Sequence, residues 1–362
     1  MCTRVTVELG ERAYAIRIGT GLLDRVGGWC AERMSGRTAL VVTDTTVGPR
    51  YLDRVEAAFR GAGFRVASVA VPAGEQAKSP RELFRLYEAA LEAGLDRRCL
   101  VVALGGGVVG DLAGFMAATW LRGVAFVQLP TTLLAMVDSA VGGKTAINLP
   151  GGKNLVGAFH QPVLVVADLD TLGSLPAREV VAGLAEVVKC GAIRDRALFE
   201  SIERNTDAVV RGAPEAIRGL VAACCRMKAE VVRADEREGG QRAILNFGHT
   251  LGHALEQAAG YGTLLHGEAV AVGMIYAAEL SVRCAGLPAA DAARLRAVLL
   301  ALGLPVRHPG PAWPDVRRAM AADKKTEDAR LRWVLLQRIG EAVTGVEVPE
   351  ALLKEAWHVV GE

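Results

Sequence analysis

The hydrophobic positions change period about halfway along the chain. Short β-branched runs at 38–44, 64–71, 99–104, 125–129 and 163–168 alternate with amphipathic stretches. Strands spaced by helical patterns read as βαβ units around a parallel sheet. Residues 4–9 and 14–18, with Gly10 between them, predict an added hairpin. After Asp170 the β-branched runs largely stop. Apolar residues then recur three and four apart over 178–193, 214–234, 250–259, 268–285, 290–302 and 314–321, which predicts helices. Gly173 and Pro176 punctuate the change. The expected architecture is an N-terminal Rossmann-like α/β domain built on a parallel sheet, residues 1–172, followed by a C-terminal all-α domain, residues 173–362.

Composition narrows the class. The chain has 362 residues, 42 Lys+Arg against 40 Asp+Glu and 51% hydrophobic residues, which excludes a disordered tail or a polyanion-coating protein. No apolar stretch reaches the ~20 residues of a membrane span. The N-terminus lacks a basic segment, an apolar segment and a small-residue cleavage site, so a cytoplasmic protein is expected. The seven cysteines make an odd count without CxxC spacing, hence no disulfide or zinc framework.

Glycine is concentrated at 105–157, where it fills 11 of 53 positions against 41 of 362 overall. Gly105, Gly107 and Gly110 match G-x-G-x-x-G, follow a predicted strand and open a helical pattern. Such glycines let backbone N–H groups and a helix N-terminus meet a pyrophosphate. The match falls on the third α/β strand, however, and Asp111 follows at once instead of ~20 residues later. A tight strand-to-helix turn with close packing is therefore an equal alternative. Gly142-Gly143-Lys144-Thr145 resembles the end of a P-loop, but Asp138 stands where the first glycine is required, which rejects that motif. Lys144 and Lys153 suit an anion, with two solvated loop lysines as the alternative.

Three of the six histidines, His249, His253 and His266, fall within 18 residues. On a helix beginning near Asn246, the residues Asn246, His249 and His253 share a face that Glu256 continues. His266 precedes the next helix and can fold back toward His249. Two histidines, one carboxylate and an open position suit a catalytic divalent metal, usually zinc. Glu186, acidic on an otherwise apolar helix, is the candidate carboxylate, because an unpartnered buried carboxylate is costly. The competing reading is core histidines at helix ends with a Glu186–Lys189 pair. Arg122, Lys144, Lys153, Lys189, Lys228, Arg242, Lys324 and Lys325 cluster near these motifs without interleaved aromatics. They look like hands for a small polyanion, not a nucleic-acid stripe, although a solvated turn explains Lys324-Lys325 as well.

At residues 103–115, 129–145, 183–189 and 245–253 the chain resembles the 3-dehydroquinate synthases, within the sugar-phosphate cyclases. The resemblance implies a dehydroquinate synthase-like fold and a cytoplasmic homodimer. It implies a lyase that uses NAD and one divalent metal, zinc or cobalt, to convert 3-deoxy-D-arabino-heptulosonate 7-phosphate to 3-dehydroquinate and phosphate in the shikimate pathway. The implied route is transient oxidation by NAD, phosphate β-elimination, reduction and intramolecular aldol closure. Carried over residue by residue, Glu186, His249 and His266 would hold the metal. NAD would meet Asp44, Gly74, Glu75, Gln76, Ala77, Lys78, Gly107, Val108, Val109, Gly110, Asp111, Thr131, Thr132, Asp138, Lys144, Lys153, Thr171, Leu172, Gly173 and Ser174. The substrate would meet Lys144, Asn154, Lys189, Lys228, Arg242, Asn246, His253 and one of Lys324 or Lys325, with Arg122 a candidate from the other subunit. The rival readings are a sister cyclase acting on another sugar phosphate, a metal-dependent polyol dehydrogenase that would release NADH, and a catalytically silent NAD-binding protein.

Overall fold

The computed structural model describes residues 2–260, 262–308, 310–322, 326–327 and 330–361. The chain forms two compact units, Met1–Pro176 with Lys228–Arg233, and Ala177–Met227 with Ala234–Glu362.

The first unit opens with the expected antiparallel hairpin, β1 (Cys2–Val7) and β2 (Tyr14–Gly19). After α1 (Val26–Ala31) the chain alternates β3 (Thr38–Asp44), α2 (Gly48–Gly61), β4 (Arg65–Val71), α3 (Pro80–Glu92), β5 (Leu100–Gly105), α4 (Gly107–Thr119) and β6 (Ala125–Pro130). A separate hairpin, β7 (Lys144–Leu149) and β8 (Gly152–Phe159), precedes β9 (Leu164–Asp168). Lys144 and Lys153 thus lie on strands, not on glycine-rich loops.

The sheet order is β1-β2-β9-β6-β5-β3-β4, parallel except for β1. Alternation along β3 explains why both faces are covered. Leu40 and Val42 point into a core shared with Leu83 and Leu86 of α3 and Leu112 and Met116 of α4. Ala39 and Val41 point the other way, toward Trp29 of α1 and Val55 and Phe59 of α2. From β3 the chain steps outward to β4 and then returns to β5 on the opposite side of β3. The strand order reverses there, and the carboxyl ends of β3 and β5 at such a reversal are where open α/β sheets bind ligands.

The second unit is helical, as the periodicity predicts: α5 (Ala177–Ile193), α6 (Arg196–Arg204), α7 (Thr206–Val210), α8 (Pro214–Ala234, whose segment Lys228–Arg233 groups with the first unit), α9 (His249–Ala258), α10 (His266–Cys284), α11 (Ala289–Ala301), α12 (Trp313–Ala322) and α13 (Glu350–Val360). It also carries two-residue strands β10 (Thr326–Glu327) and β11 (Arg330–Leu331), and a hairpin of β12 (Trp333–Arg338) and β13 (Glu341–Val346). The central helix is α10, buried almost throughout and packed against α5, α9, α11, α13 and β12. Its Tyr276 hydroxyl donates to the Leu353 carbonyl at 2.8 Å, which satisfies the one polar atom of a fully buried ring. No helix among the described residues is long and apolar enough to cross a membrane.

Candidate metal centre and the carboxyl edge of the sheet

Three helices of the second unit converge on one point. Glu186 lies on α5, His249 is the first residue of α9, and His266 is the first residue of α10. The convergence depends on missing side chains. A Cβ at Gly273 would lie 1.9 Å from the Gly248 carbonyl oxygen, and one at Gly267 would lie 1.8 Å from that of Ala182. Gly248 itself sits at φ +79°, a left-handed conformation that turns the chain into α9.

That turn corrects one expectation. Asn246 is not on the histidine helix; it ends a separate short helix, Gln241–Asn246, and its amide donates to Glu238 Oε1 at 3.1 Å. His266 likewise opens its helix instead of preceding it. Its end is fixed by Glu268, whose Oε2 accepts from the Leu265 N–H at 2.9 Å and whose carboxylate takes a two-point ion pair from Arg178.

Glu186 is fully buried. Its Oε1 lies 3.7 Å from Nε2 of both His249 and His266, while its Oε2 is ion-paired with the buried ammonium of Lys189. Oε1 has no hydrogen-bond partner among the described residues. The pairing foreseen as the competing reading is therefore present, yet it leaves Oε1 short of the hydrogen bonds a buried carboxylate needs.

The imidazoles are oriented to fill that deficit. His249 Nδ1 is 3.1 Å from the Phe247 carbonyl, and His266 Nδ1 is 3.3 Å from Glu256 Oε2. A carbonyl and a carboxylate accept only, so each places a proton on the Nδ1 it faces and leaves Nε2, beside Glu186, as the ring atom a metal would take. Two imidazole lone pairs and a carboxylate oxygen, all within 4.8 Å of one another, suit a tetrahedral cation with a fourth position open. The residues fit a divalent metal.

The same unit holds His253 and Arg242, of which His253 lies beside the ligands. The His253 ring lies 5.4 Å from that of His249 and 6.0 Å from that of His266. Arg242 is buried and donates from Nη1 to the Glu236 carbonyl at 2.6 Å, while its backbone N–H donates to Asp235 at 2.9 Å.

The first unit gathers its candidates at the carboxyl edge. Asp44 ends β3, the segment Gly74–Lys78 follows β4, Gly107–Asp111 opens α4 after β5, Thr131 and Thr132 follow β6, and Thr171–Ser174 follows β9. Asp44 Oδ1 caps the turn into α2, accepting from Thr46 N–H at 2.8 Å and Val47 N–H at 2.9 Å. The hydroxyls of Thr131 and of Thr43, a residue not singled out from the sequence, are buried without partners among the described residues. Orphaned hydroxyls on either side of β5 are what a polar ligand seated there would satisfy. The packing alternative for the glycine fingerprint is also present: a Cβ on Gly110 would come 2.7 Å from Gln128 Oε1.

Lys78 organises this edge. Its ammonium donates to Asp111 Oδ2 at 2.6 Å and to Asn154 Oδ1 at 2.5 Å, and Asn154 holds φ +55° with its N–H on Asn148 Oδ1. Burial pushes the Asp111 carboxyl above the usual carboxylate range, against the opposing pull of Lys78. Lys228 donates to both the carboxylate and the carbonyl of Asp138 at 2.6 Å.

Two supporting residues carried no sequence signal. Tyr51, on α2, meets Ser174 Oγ at 2.7 Å and donates to the Thr171 carbonyl at 3.3 Å, while Asn148 bridges Glu75 and Asn154. Both belong to no motif. Arg122 is exposed at φ +71°. Lys324 and Lys325 lie outside the described residues.

Comparison with known proteins agrees with the resemblance. Sequence profiles for the 3-dehydroquinate synthase N-terminal and C-terminal regions match residues 68–182 and 183–326. A 3-dehydroquinate synthase from Geobacter metallireducens is 52% identical over 336 residues, 93% of each chain. Among solved structures, 2-deoxy-scyllo-inosose synthase complexed with carbaglucose-6-phosphate, NAD+ and Co2+ superposes with a TM-score of 0.89 at 31% identity, covering 98% of each chain. A 2-epi-5-epi-valiolone synthase from Streptomyces hygroscopicus with NAD+ and Zn2+ bound gives 0.88 at 30% identity, covering 97% of each.

Proposed function

The chain belongs to the 3-dehydroquinate synthase family, and from that premise we propose that it converts 3-deoxy-D-arabino-heptulosonate 7-phosphate to 3-dehydroquinate and phosphate as a phosphate-eliminating lyase. It uses NAD and one divalent metal and works as a homodimer. The observation that carries the reading is Glu186, buried with Oε1 lacking a hydrogen bond among the described residues and facing the Nε2 atoms of His249 and His266. The domain at 173–362 would hold the metal through these three residues. The domain at 1–172 would hold NAD along its carboxyl edge, from Asp44 through Gly74–Lys78, Gly107–Asp111, Thr131, Thr132, Asp138, Lys144, Lys153, Thr171 and Leu172, with Gly173 and Ser174 just past its boundary completing the set.

When bound, NAD supplies a hydride acceptor that is later a donor, and the metal supplies a Lewis acid for hydroxyl oxygens. The chain's own residues hold and orient. A substrate with a carboxylate and a phosphate needs cations at both ends, and Lys144, Lys189, Lys228 and Arg242 supply them as charge-assisted donors, with Arg122 and one of Lys324 or Lys325 completing the set. Asn154 and Asn246 would orient hydroxyls, and His253 would donate a hydrogen bond or relay a proton. Holding both anionic ends keeps one substrate in register through several bond changes.

The test is phosphate release from the heptulosonate phosphate by zinc-loaded protein with sub-stoichiometric NAD, following nicotinamide absorbance in parallel. Many turnovers without net NADH, abolished by a chelator, are expected. Stoichiometric NADH would make the protein a dehydrogenase. Release from glucose 6-phosphate or sedoheptulose 7-phosphate alone would make it a sister cyclase, a reading weakened by 52% identity to a dehydroquinate synthase against 31% to the inosose synthase.

A further inference from the structure

We infer that Glu256 is a positioning residue for the metal centre: it holds His266 in the tautomer and orientation that present Nε2 beside Glu186. The inference rests on the metal reading above and gives a role to a residue that the sequence placed on the histidine face without one.

Glu256 lies on the third turn of α9, seven residues after His249, so one helix carries both a proposed ligand and the carboxylate that would orient a ligand on the next helix. Its side chain is 7% exposed, too buried for a carboxylate serving only solubility, and its Oε2 is 3.3 Å from His266 Nδ1. An ionised carboxylate accepts only, so it holds a proton on Nδ1 and leaves Nε2 as the nitrogen that a cation beside Glu186 would take. The negative charge also raises the basicity of the imidazole toward a cation, as carboxylates behind metal-bound histidines do. His249 has a neutral counterpart, the Phe247 carbonyl at 3.1 Å from its Nδ1. Of the two imidazoles His266 is the more exposed, 29% against 10%, and so has the greater need of a side chain to hold it.

A rival geometry gives the proposal its sharpest test. His253, Glu256 and His266 also place one ligand atom each within 4.8 Å of one another. Glu256 could therefore be a ligand itself, with the ion displaced from Glu186. The two arrangements predict different outcomes for the same substitutions.

Zinc affinity would be measured on the full chain by competition with a chromophoric chelator, together with imidazole 15N shifts of the zinc-free protein and thermal melting. Glu256→Gln is expected to raise the zinc dissociation constant 10- to 100-fold, to shift the His266 Nδ1 and Nε2 resonances away from a single Nδ1–H tautomer, and to leave those of His249 unchanged. Glu256→Asp, which keeps the charge on a shorter arm, is expected to recover part of the affinity and guards against a mere folding defect. Unchanged zinc affinity in Glu256→Gln would overturn the proposal, as would a melting defect with no change in the His266 tautomer. Loss of zinc binding in Glu256→Gln and His253→Ala, with Glu186→Gln still binding like wild type, would make Glu256 a ligand and sink both the proposal and the metal reading. Loss in Glu186→Gln, with only weakening in Glu256→Gln, keeps both.

Discussion

Gly273→Ala asks whether the close crossing of α9 and α10 holds the metal ligands together. The added methyl would lie 1.9 Å from the Gly248 carbonyl oxygen, where ordinary contact begins at 3.4 Å. Backbone would therefore have to retreat by about 1.5 Å. The obstruction is a carbonyl at the root of α9, next to His249, and not the tip of a flexible side chain, so relief requires moving a helix. Overpacking of this kind costs about 1–3 kcal/mol. Alanine opposes it, because it favours a helix interior over glycine by about 1 kcal/mol. With backbone as the obstacle the upper end applies, and the net loss is about 2 kcal/mol. For a unit of this size that lowers the melting temperature by roughly 4–8 °C. The displacement acts on the 3.7 Å spacing between His249 Nε2 and Glu186 Oε1, so zinc affinity should fall at least tenfold. The assay is thermal unfolding of metal-free protein, then of protein at one fixed free zinc concentration. Gly219→Ala, on the exposed face of α8 with open space around the new methyl, is the control and should stabilise by roughly 0.5–1 kcal/mol. If Gly273→Ala melted at or above wild type, as the control should, the close crossing and the account of how the ligands are assembled would be wrong.

Free zinc at about 100 times its dissociation constant should add about 2.7 kcal/mol to unfolding in wild type and none in Glu186→Gln, read by chemical denaturation with and without chelator. Lys228→Met removes the donor to both Asp138 oxygens; it should destabilise by about 1–2 kcal/mol and cut phosphate release more than 100-fold, and wild-type turnover would exclude Lys228 from the substrate site. The Asp235 carboxyl is held below the usual carboxylate range by the Arg242 N–H, with the Gly239 and Gly240 N–H groups adding to it against the effect of burial. Its folded value lies below the unfolded 3.8, so its contribution is full above that pH and is lost as pH falls through the lowered folded value. Acid titration of stability should therefore show Asp235→Asn converging on wild type at low pH, and a gap that stays constant would refute this.

The parts of the fold visible in the sequence are those where burial imposes a period. β3, β5, β6 and β9 are buried on both faces or nearly so, which selects β-branched runs, the edge strand β4 keeps only half-buried valines before the buried Val71, and the long helices present apolar stripes to the centre of the second unit. Two hairpins lack that imprint. β8 leaves Asn154, Leu155, Val156 and Gly157 exposed, so its residues are under no alternation and its glycines and Asn read as loop. In β12 the buried run Trp333–Val334–Leu335–Leu336 is continuous, a pattern that suits a helix as well as a strand.

The site divides along the same physical line. His249, His266 and Glu186 could be named because chemistry restricts a metal ligand to few residue types, and each is rare in its surroundings. What spacing could not supply was the geometry that makes three distant residues one centre. Sequence offsets within a helix say which residues share its face, but they presuppose a continuous helix. Gly248 breaks that continuity at φ +79°, which is why Asn246 leaves the histidine face while His249 stays. The ligands then meet because Gly267 and Gly273 let α10 approach Ala182 and Gly248, contacts between residues 85 and 25 positions apart. A glycine needed for a long-range approach leaves the same trace in one sequence as a glycine that is merely tolerated. The distinction appears only when the missing Cβ is placed in the fold and found to have nowhere to go.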